Sequence, residues 1–270
     1  MKLQGNGVEL EVGVQGEGPA VLLLHGFPDS SHLWRKQVPV LVEAGFKVVA
    51  PDQRGFGASD KPEGVDNYNI LNILEDTRSI LDALGIDKAH VVGHDWGAAV
   101  AWTFASLYQD RVASLVALSV GHPTAFGAAS YEQLQRSWYM FMFQFEGVAE
   151  EWLSRNDFEF LRSWIGGGGD IERYVEDLSR PGALTAGLNW YRANLPPQTW
   201  ISEPLELPAI SAPTMGIWST GDDALTEDQM TDSQKYVQGP WRYERVEASH
   251  WIPLEAADRL NELLLDFYPS

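Results

Sequence analysis

A chain of 270 residues, 44% of them hydrophobic, can bury a substantial core, so disorder is not the expectation. Nineteen basic against 38 acidic side chains give a formal charge of −19. Such a surface repels nucleic acid and anionic membrane and makes a small neutral partner the simplest expectation. The absence of cysteine excludes disulfides, thiolate nucleophiles and cysteine-bound zinc. No apolar run approaches bilayer-spanning length. The opening MKLQGNGVELEV lacks a basic start followed by an apolar stretch, so no signal peptide is expected and the expected location is cytoplasmic.

Val8, Leu10, Val12 and Val14 alternate with the period of a half-exposed strand. A buried strand from Ala20 to His25 follows and ends in a Gly-Phe-Pro turn. Residues 31–43 predict a helix, and Lys47 to Asp52 another strand. Ile70, Leu71, Ile73, Leu74, Ile80, Leu81 and Leu84 have helical spacing within 67–84, with Gly85 as the stop. Next come a strand at His90 to Val92, a helix at Gly97 to Leu107 and a strand at Val112 to Val120. Apolar strands alternating with helices imply an α/β fold, a mainly parallel sheet covered on both faces.

From Pro123 to Pro204 the alternation stops. Helical segments rich in Trp, Tyr, Phe and Met replace it, interrupted by glycines at 166–169 and ending near Pro196-Pro197. The core pattern resumes with strands at Pro213 to Thr220 and Trp241 to Val246 and a helix at Leu254 to Phe267. The expected organisation is therefore a core of residues 1–122 and 205–270 with a helical lid, or cap, at 123–204.

VVGHDWGA, Val91 to Ala98, reads as strand, sharp turn and helix start. It has the G-x-S-x-G form of a nucleophile elbow, with Gly93 and Gly97 at the glycine positions and Asp95 in the place of serine. Glycines at both places let the chain turn tightly and expose the central side chain. Standing alone, Asp95 would read as a helix N-cap, a place for which Asp is well suited. Partners favour the catalytic reading. His250, in Ser249 to Trp251, lies between the last strand and the last helix, and Asp222 just follows the preceding strand. Asp223 is the rival acid, with Asp222 preferred for its spacing from the strand end. An acid after the earlier strand is not available in SVGHPT, Ser119 to Thr124. Of the other histidines, His32 and His90 are expected to be exposed or to cap loops, and His25 and His94 to orient turns by hydrogen bonds. His122 is left open between these roles and the lid junction. No spacing suggests a metal site.

LLHGFPDSSHLWR, VVAPDQRGFGASDKP, GHDWGA and SHWIPLEA resemble the epoxide hydrolase and haloalkane dehalogenase branch of the α/β-hydrolase superfamily, over nearly the whole chain. The resemblance implies the α/β-hydrolase fold with an inserted helical lid. Its active sites use the order nucleophile, acid, histidine, here Asp95, Asp222 and His250. It also implies an oxyanion hole from the backbone N–H groups of Phe27 and Trp96; Phe27 can in addition be a wall residue. WYMFMFQ and NWYRAN resemble the two lid segments that carry paired tyrosines in epoxide hydrolases, with Tyr139 and Tyr191 at the matching positions.

Nucleophile type constrains the reaction. A serine attacking saturated carbon would leave an ether, which activated water does not readily cleave. A carboxylate leaves an alkyl ester, which water can hydrolyse at the carboxylate's own carbonyl. An aspartate is normally ionised at neutral pH and needs no base for the first step. Histidine then serves the second step, with an acid to orient it. The leaving group separates the two branches: halide needs only N–H donors, whereas an opening epoxide yields a basic alkoxide that needs a proton, which a neutral tyrosine can supply. The tyrosine pair favours an epoxide, as does Phe27 where many haloalkane dehalogenases have a halide-binding asparagine. The indoles of Trp96, Trp138 and Trp190 keep a halide route open. A catalytically silent ligand receptor on the same fold is a further alternative. The expected partners are a small neutral apolar substrate and water, with no cofactor and no metal; a homodimer is compatible with this reading.

Overall fold

Eight strands form one sheet in the order β1-β2-β4-β3-β5-β6-β7-β8 in this computed structural model, which describes residues 1–128, 130–165, 167–203 and 205–268. The strands are β1 Lys2–Gln4, β2 Glu9–Gln15, β3 Ala20–Leu24, β4 Lys47–Pro51, β5 Ala89–His94, β6 Val112–Leu118, β7 Thr214–Ser219 and β8 Trp241–Val246. The first two pairings, β1 with β2 and β2 with β4, are antiparallel, and the rest are parallel. The middle strands β3, β5 and β7 are buried at every residue, as expected where helices cover both faces.

The core helices are α1 Val38–Glu43, α2 Ile70–Ala83 and α3 Trp96–Leu107. Between β6 and β7 come α4 Pro123–Gly127, α5 Tyr131–Arg136, α6 Trp138–Met142, α7 Val148–Ile165, which is broken by non-helical backbone at 155–158, α8 Ile171–Leu178 and α9 Ala183–Asn194. After β7 follow α10 Glu227–Thr231, α11 Ile252–Glu255 and α12 Ala257–Phe267. Gly166 of the glycine run and Pro204, the expected end of the insertion, lie outside the described residues. Among those described, no helix is long and apolar enough to cross a membrane.

The sequence-based boundaries shift where local chemistry intervenes. The helix expected at 31–43 is a 3₁₀ turn, Ser31–Lys36, and then α1, with Pro39 in the first turn of α1. The helix expected at 67–84 divides at Asn69, whose side chain caps α2 by accepting from the Leu71 N–H. Its buried face is Ile73, Leu74, Thr77, Ile80 and Leu81, while Leu71 points outward. The last helix likewise divides at Ala256. His90 is a correction: it is neither exposed nor a loop cap. It lies inside β5, buried, with Nδ1 2.8 Å from Ser114 Oγ and its ring against Phe46 and Tyr268. The strand starts one residue earlier than its apolar run suggests, and both sheet faces are covered.

Parallel register aligns the carboxyl ends of the central strands. Leu24 pairs with Gly93, His94 with Leu118, Leu118 with Ile217 and Ser219 with Val246. The residues that leave these strands, from Phe27, Asp95, Asp222 and His250, therefore emerge along one edge, the usual place for a site in such sheets. The helical insertion is fastened over that edge. Trp190 Nε1 donates to the Arg54 carbonyl at 3.0 Å, Ser30 Oγ to Asp177 at 3.0 Å, and Asn194 Nδ2 to the Tyr68 carbonyl at 2.9 Å.

Candidate active site

Asp95 sits at the junction of β5 and α3 with φ 54° and ψ −123°, a conformation rare for a residue with a side chain. Close packing permits the turn. A Cβ on Gly93 would collide with the Gly97 carbonyl, and one on Gly97 with the Leu24 carbonyl. The N-cap alternative fails, because the Asp95 side chain makes no capping hydrogen bond. Its Oδ1 instead accepts from the backbone N–H of Phe27 at 2.8 Å. The Trp96 N–H adjoins the same spot: a Cβ on Gly26 would strike both that nitrogen and Asp95 Oδ1. Trp96 opens α3, where first-turn N–H groups lack helical acceptors.

His250 Nδ1 lies 2.9 Å from Asp222 Oδ2, and Nε2 faces Asp95 Oδ2 at 3.7 Å. Asp222 Oδ1 accepts from the N–H groups of Ala224 and Leu225, both at 2.9 Å. Asp223 is exposed and lines the cavity. Burial opposes charge on His250, but the charge and hydrogen bond of Asp222, and then Asp95, push its pKa up to about 10. Burial would raise Asp222, but His250 and the two amides hold it below its ordinary value. His94 Nε2 donates to the His250 carbonyl at 2.9 Å, which Ser119 Oγ also reaches at 3.2 Å. Burial pushes His94 down to about 4, consistent with a neutral ring.

The remaining histidines are structural. His25 Nε2 accepts from the Gln53 N–H at 3.0 Å and its Nδ1 lies 2.9 Å from the Gly26 carbonyl, which orients the turn below Phe27. His122 caps α4, accepting from the Thr124 N–H at 3.2 Å, and stacks on Tyr236; it lines neither cavity beside Asp95. His32 is exposed. Among the described residues no group of three or more His, Cys, Asp or Glu could hold a metal ion.

Two cavities meet at Asp95, Tyr139 and Tyr191. The wider, about 460 Å³, is lined by His250 and Trp251 and by polar Glu132, Gln135, Arg136 and Asp223. The narrower, about 170 Å³, is walled by Trp96, Val120, Phe126, Met140, Leu195 and Leu225 among others. Its polar side chains other than Asp95 and the tyrosines are tied to backbone: Thr103 Oγ1 donates to the Ala99 carbonyl, Asn194 Nδ2 donates to the carbonyls of Tyr68 and Trp190, and Asn194 Oδ1 accepts from the Ile70 N–H. Tyr139 and Tyr191, on α6 and α9, are buried with ring centroids 6.0 Å apart. Burial, and then the Asp95 charge, raises both hydroxyls well above tyrosine's ordinary pKa, so they remain donors at neutral pH. Phe27 packs edge-on against Tyr191 and Phe143, so its side chain is also wall. The Trp190 indole N–H is engaged by Arg54 and is not available to a halide. Trp138 lines the wider cavity, half exposed.

Three contributors are not evident from sequence. Asp29 is buried behind the site, 3.2 Å from Trp251 Nε1; burial, with the Asp95 charge adding, pushes its carboxyl up to about 7. Gln133 and Arg136 grip the loop that carries Asp222. Only Asp29, next to the Gly-Phe-Pro turn, sits where a motif could have drawn attention to it.

Residues 19–257 match the family model for the alpha/beta hydrolase fold. An AB hydrolase superfamily protein of Bacillus subtilis, YfhM, is 36% identical over 97% of this chain and 95% of its own length. Epoxide hydrolase A of Mycobacterium tuberculosis is 34% identical over 97% and 94%. Among solved structures, a Bacillus megaterium epoxide hydrolase in complex with an inhibitor superposes with a TM-score of 0.90, at 30% identity over 99% of both chains. Sequence, strand order and the geometry at the sheet edge agree: the chain belongs to the α/β-hydrolase fold family, in the company of proteins named epoxide hydrolases.

Proposed function

We propose that the protein hydrolyses epoxides to vicinal diols through a covalent ester on Asp95, under a cap formed by residues 123–204. The observation that carries this reading is the meeting of Asp95, Tyr139 and Tyr191 at the junction of the two cavities, with His250 at 3.7 Å from the carboxylate. In the first step Asp95 Oδ2 attacks one epoxide carbon and its C–O bond breaks. The oxygen leaves toward Tyr139 and Tyr191, and one hydroxyl delivers the proton. Oδ1 stays against the Phe27 N–H, which is where charge develops in the second step.

Esterification removes the Asp95 charge, so His250 loses one of the two carboxylates that raise its pKa and gives up its proton, which restores the tyrosine hydroxyl spent in ring opening. As a base it takes a proton from water, which adds to the Asp95 carbonyl carbon. The N–H groups of Phe27 and Trp96 stabilise the oxyanion; on collapse the bond from the Asp95 carbonyl carbon to the substrate oxygen breaks, the adduct's hydroxyl proton passes to the departing alkoxide to give the diol, and Asp95 is restored as its carboxylate. Asp222 orients His250 and balances its charge. Relatives named epoxide hydrolases support the reading.

The narrow cavity supports an apolar arm on the substrate, since an apolar cavity of about 150 Å³ accommodates benzene. The wide cavity, whose lining mixes Glu132 and Asp223 with Gln135 and Arg136, has room for a larger and more polar second arm. A side-by-side assay of styrene-type epoxides and bromoalkanes tests the activity. Diol formation with little halide release is expected; preference for the bromoalkane would establish dehalogenation, and turnover of neither would leave a ligand receptor.

A further inference from the structure

The loop that carries Asp222 is held by the helical insertion. Gln133 on α5 is buried, and each hydrogen-bonding position of its amide is engaged. Nε2 donates to Ser137 Oγ and to the Ala224 carbonyl, both at 2.9 Å. Oε1 accepts from the Thr226 N–H at 2.8 Å and from its hydroxyl at 3.0 Å. Arg136 Nη1, one turn further, donates to the carbonyls of Asp222 and, at 3.1 Å, Leu225.

A peptide unit is planar and rigid, so a grip on one end fixes the other. The Ala224 carbonyl held by Gln133 shares its peptide with the Leu225 N–H, which donates to Asp222 Oδ1. The Leu225–Thr226 peptide is held at both ends, by Arg136 on its oxygen and Gln133 on its N–H. The Asp222 carbonyl is tied by Arg136 as well. The carboxylate that faces His250 Nδ1 thus takes its orientation from backbone that the insertion immobilises.

We infer that Gln133 and Arg136 are positioning residues for the acid, through which the helical insertion sets the alignment of Asp222 on His250 and hence the rate of ester hydrolysis, but not of ester formation. The inference rests on Asp95 forming an ester. Ring opening uses Asp95 and the tyrosines and needs no base, so a loosened Asp222 slows only the second step. A tie that merely held the insertion in place would affect both steps, because Tyr139 lies three residues beyond Arg136. Gln133 lines neither cavity and is the cleaner probe.

The experiment is rapid mixing of wild type, Gln133→Leu, Arg136→Met and Arg136→Lys with a styrene-type epoxide, following ester formation and decay from pH 5 to 10. In Gln133→Leu, formation stays within about two-fold of wild type while decay slows roughly 10- to 100-fold, the scale of a small misplacement of a catalytic group; in Arg136→Met, whose side chain also lines the wider cavity, decay slows by more than formation does. The acidic limb of decay moves to lower pH, because a misaligned Asp222 makes His250 less basic. Arg136→Lys, which keeps a donor, recovers more of the decay rate than Arg136→Met. Decay at the wild-type rate and pH limb, or equal loss in both steps, overturns the inference. If Gln133→Leu does not fold, the Arg136 pair, at a partly exposed side chain, decides. A wild type that forms no ester overturns the underlying reading and this inference together; an ester that decays alike in all variants overturns this inference alone.

Discussion

His250 Nε2 and Asp95 Oδ2 face each other at 3.7 Å, beyond direct hydrogen-bond length, while the other ring nitrogen is fixed on Asp222 at 2.9 Å. In the proposed mechanism the base is thus aimed at the nucleophile and not bound to it, as two separate steps require. His250→Gln should still form the ester and stall there, with hydrolysis slowed about 10²- to 10⁴-fold. Intact-mass spectrometry after mixing with substrate should show a substrate-sized adduct, absent in Asp95→Ala. Turnover of His250→Gln at the wild-type rate would remove His250 from the role.

Asp222→Ala should lower turnover by about 10²-fold or more, and Asp223→Ala by much less. The buried Asp222 carboxylate accepts from His250, whereas Asp223 is exposed at the cavity wall. Steady-state rates of both folded variants check this, and equal losses would contradict it. The pairing also bears on stability. With a folded pKa of about 10 against an ordinary 6.5, His250 contributes stability that is full below about pH 6.5 and lost as pH rises through 10. The stability gap between wild type and His250→Gln should narrow over that window.

Tyr139 and Tyr191 share one leaving oxygen in this account, so their effects should not add. Each Tyr→Phe change should slow ring opening, with the remaining hydroxyl partly compensating. The double variant should lose about 10²- to 10³-fold or more, and ester hydrolysis should change less. Pre-steady-state ester formation by the three variants is the measurement. A double variant as fast as wild type would make the pair packing residues.

Asp29 carries the opposite lesson, a buried carboxyl that destabilises when ionised. Its folded pKa of about 7 lies above the ordinary 3.8, so the stability it contributes is full below about pH 4 and lost as pH rises through 7. Asp29→Asn should therefore be more stable than wild type at pH 8, by about a few kcal/mol, seen as a higher melting temperature, and should differ little from it at pH 4. Equal shifts at both pH values would contradict this.

The strand–helix alternation, the elbow at Asp95 and the order of Asp222 and His250 were legible because each is written in contiguous residues or at a strand end. What escaped the sequence depends on distant partners. His90 looked like a loop histidine because its burial is created by Ser114, Phe46 and Tyr268. Trp190 looked like a free indole until Arg54 took its N–H. Gln133 and Arg136 sit on a short helix of the insertion with no motif of their own; their partners lie some 90 residues further along the chain. The edge strand β1, three residues with no apolar pattern, and the short polar helix α10 lack the length that periodicity needs.

In the proposed mechanism water attacks the enzyme ester and not the epoxide. One turnover in heavy-oxygen water, with enzyme in excess over a styrene-type epoxide, tests it most directly. Asp95 should give one of its own oxygens to the diol, so mass spectrometry should find the label in the peptide containing Asp95 and not in the first-turnover diol. Label in that diol, with the Asp95 peptide unchanged, would mean that water opens the epoxide directly and that no enzyme ester forms.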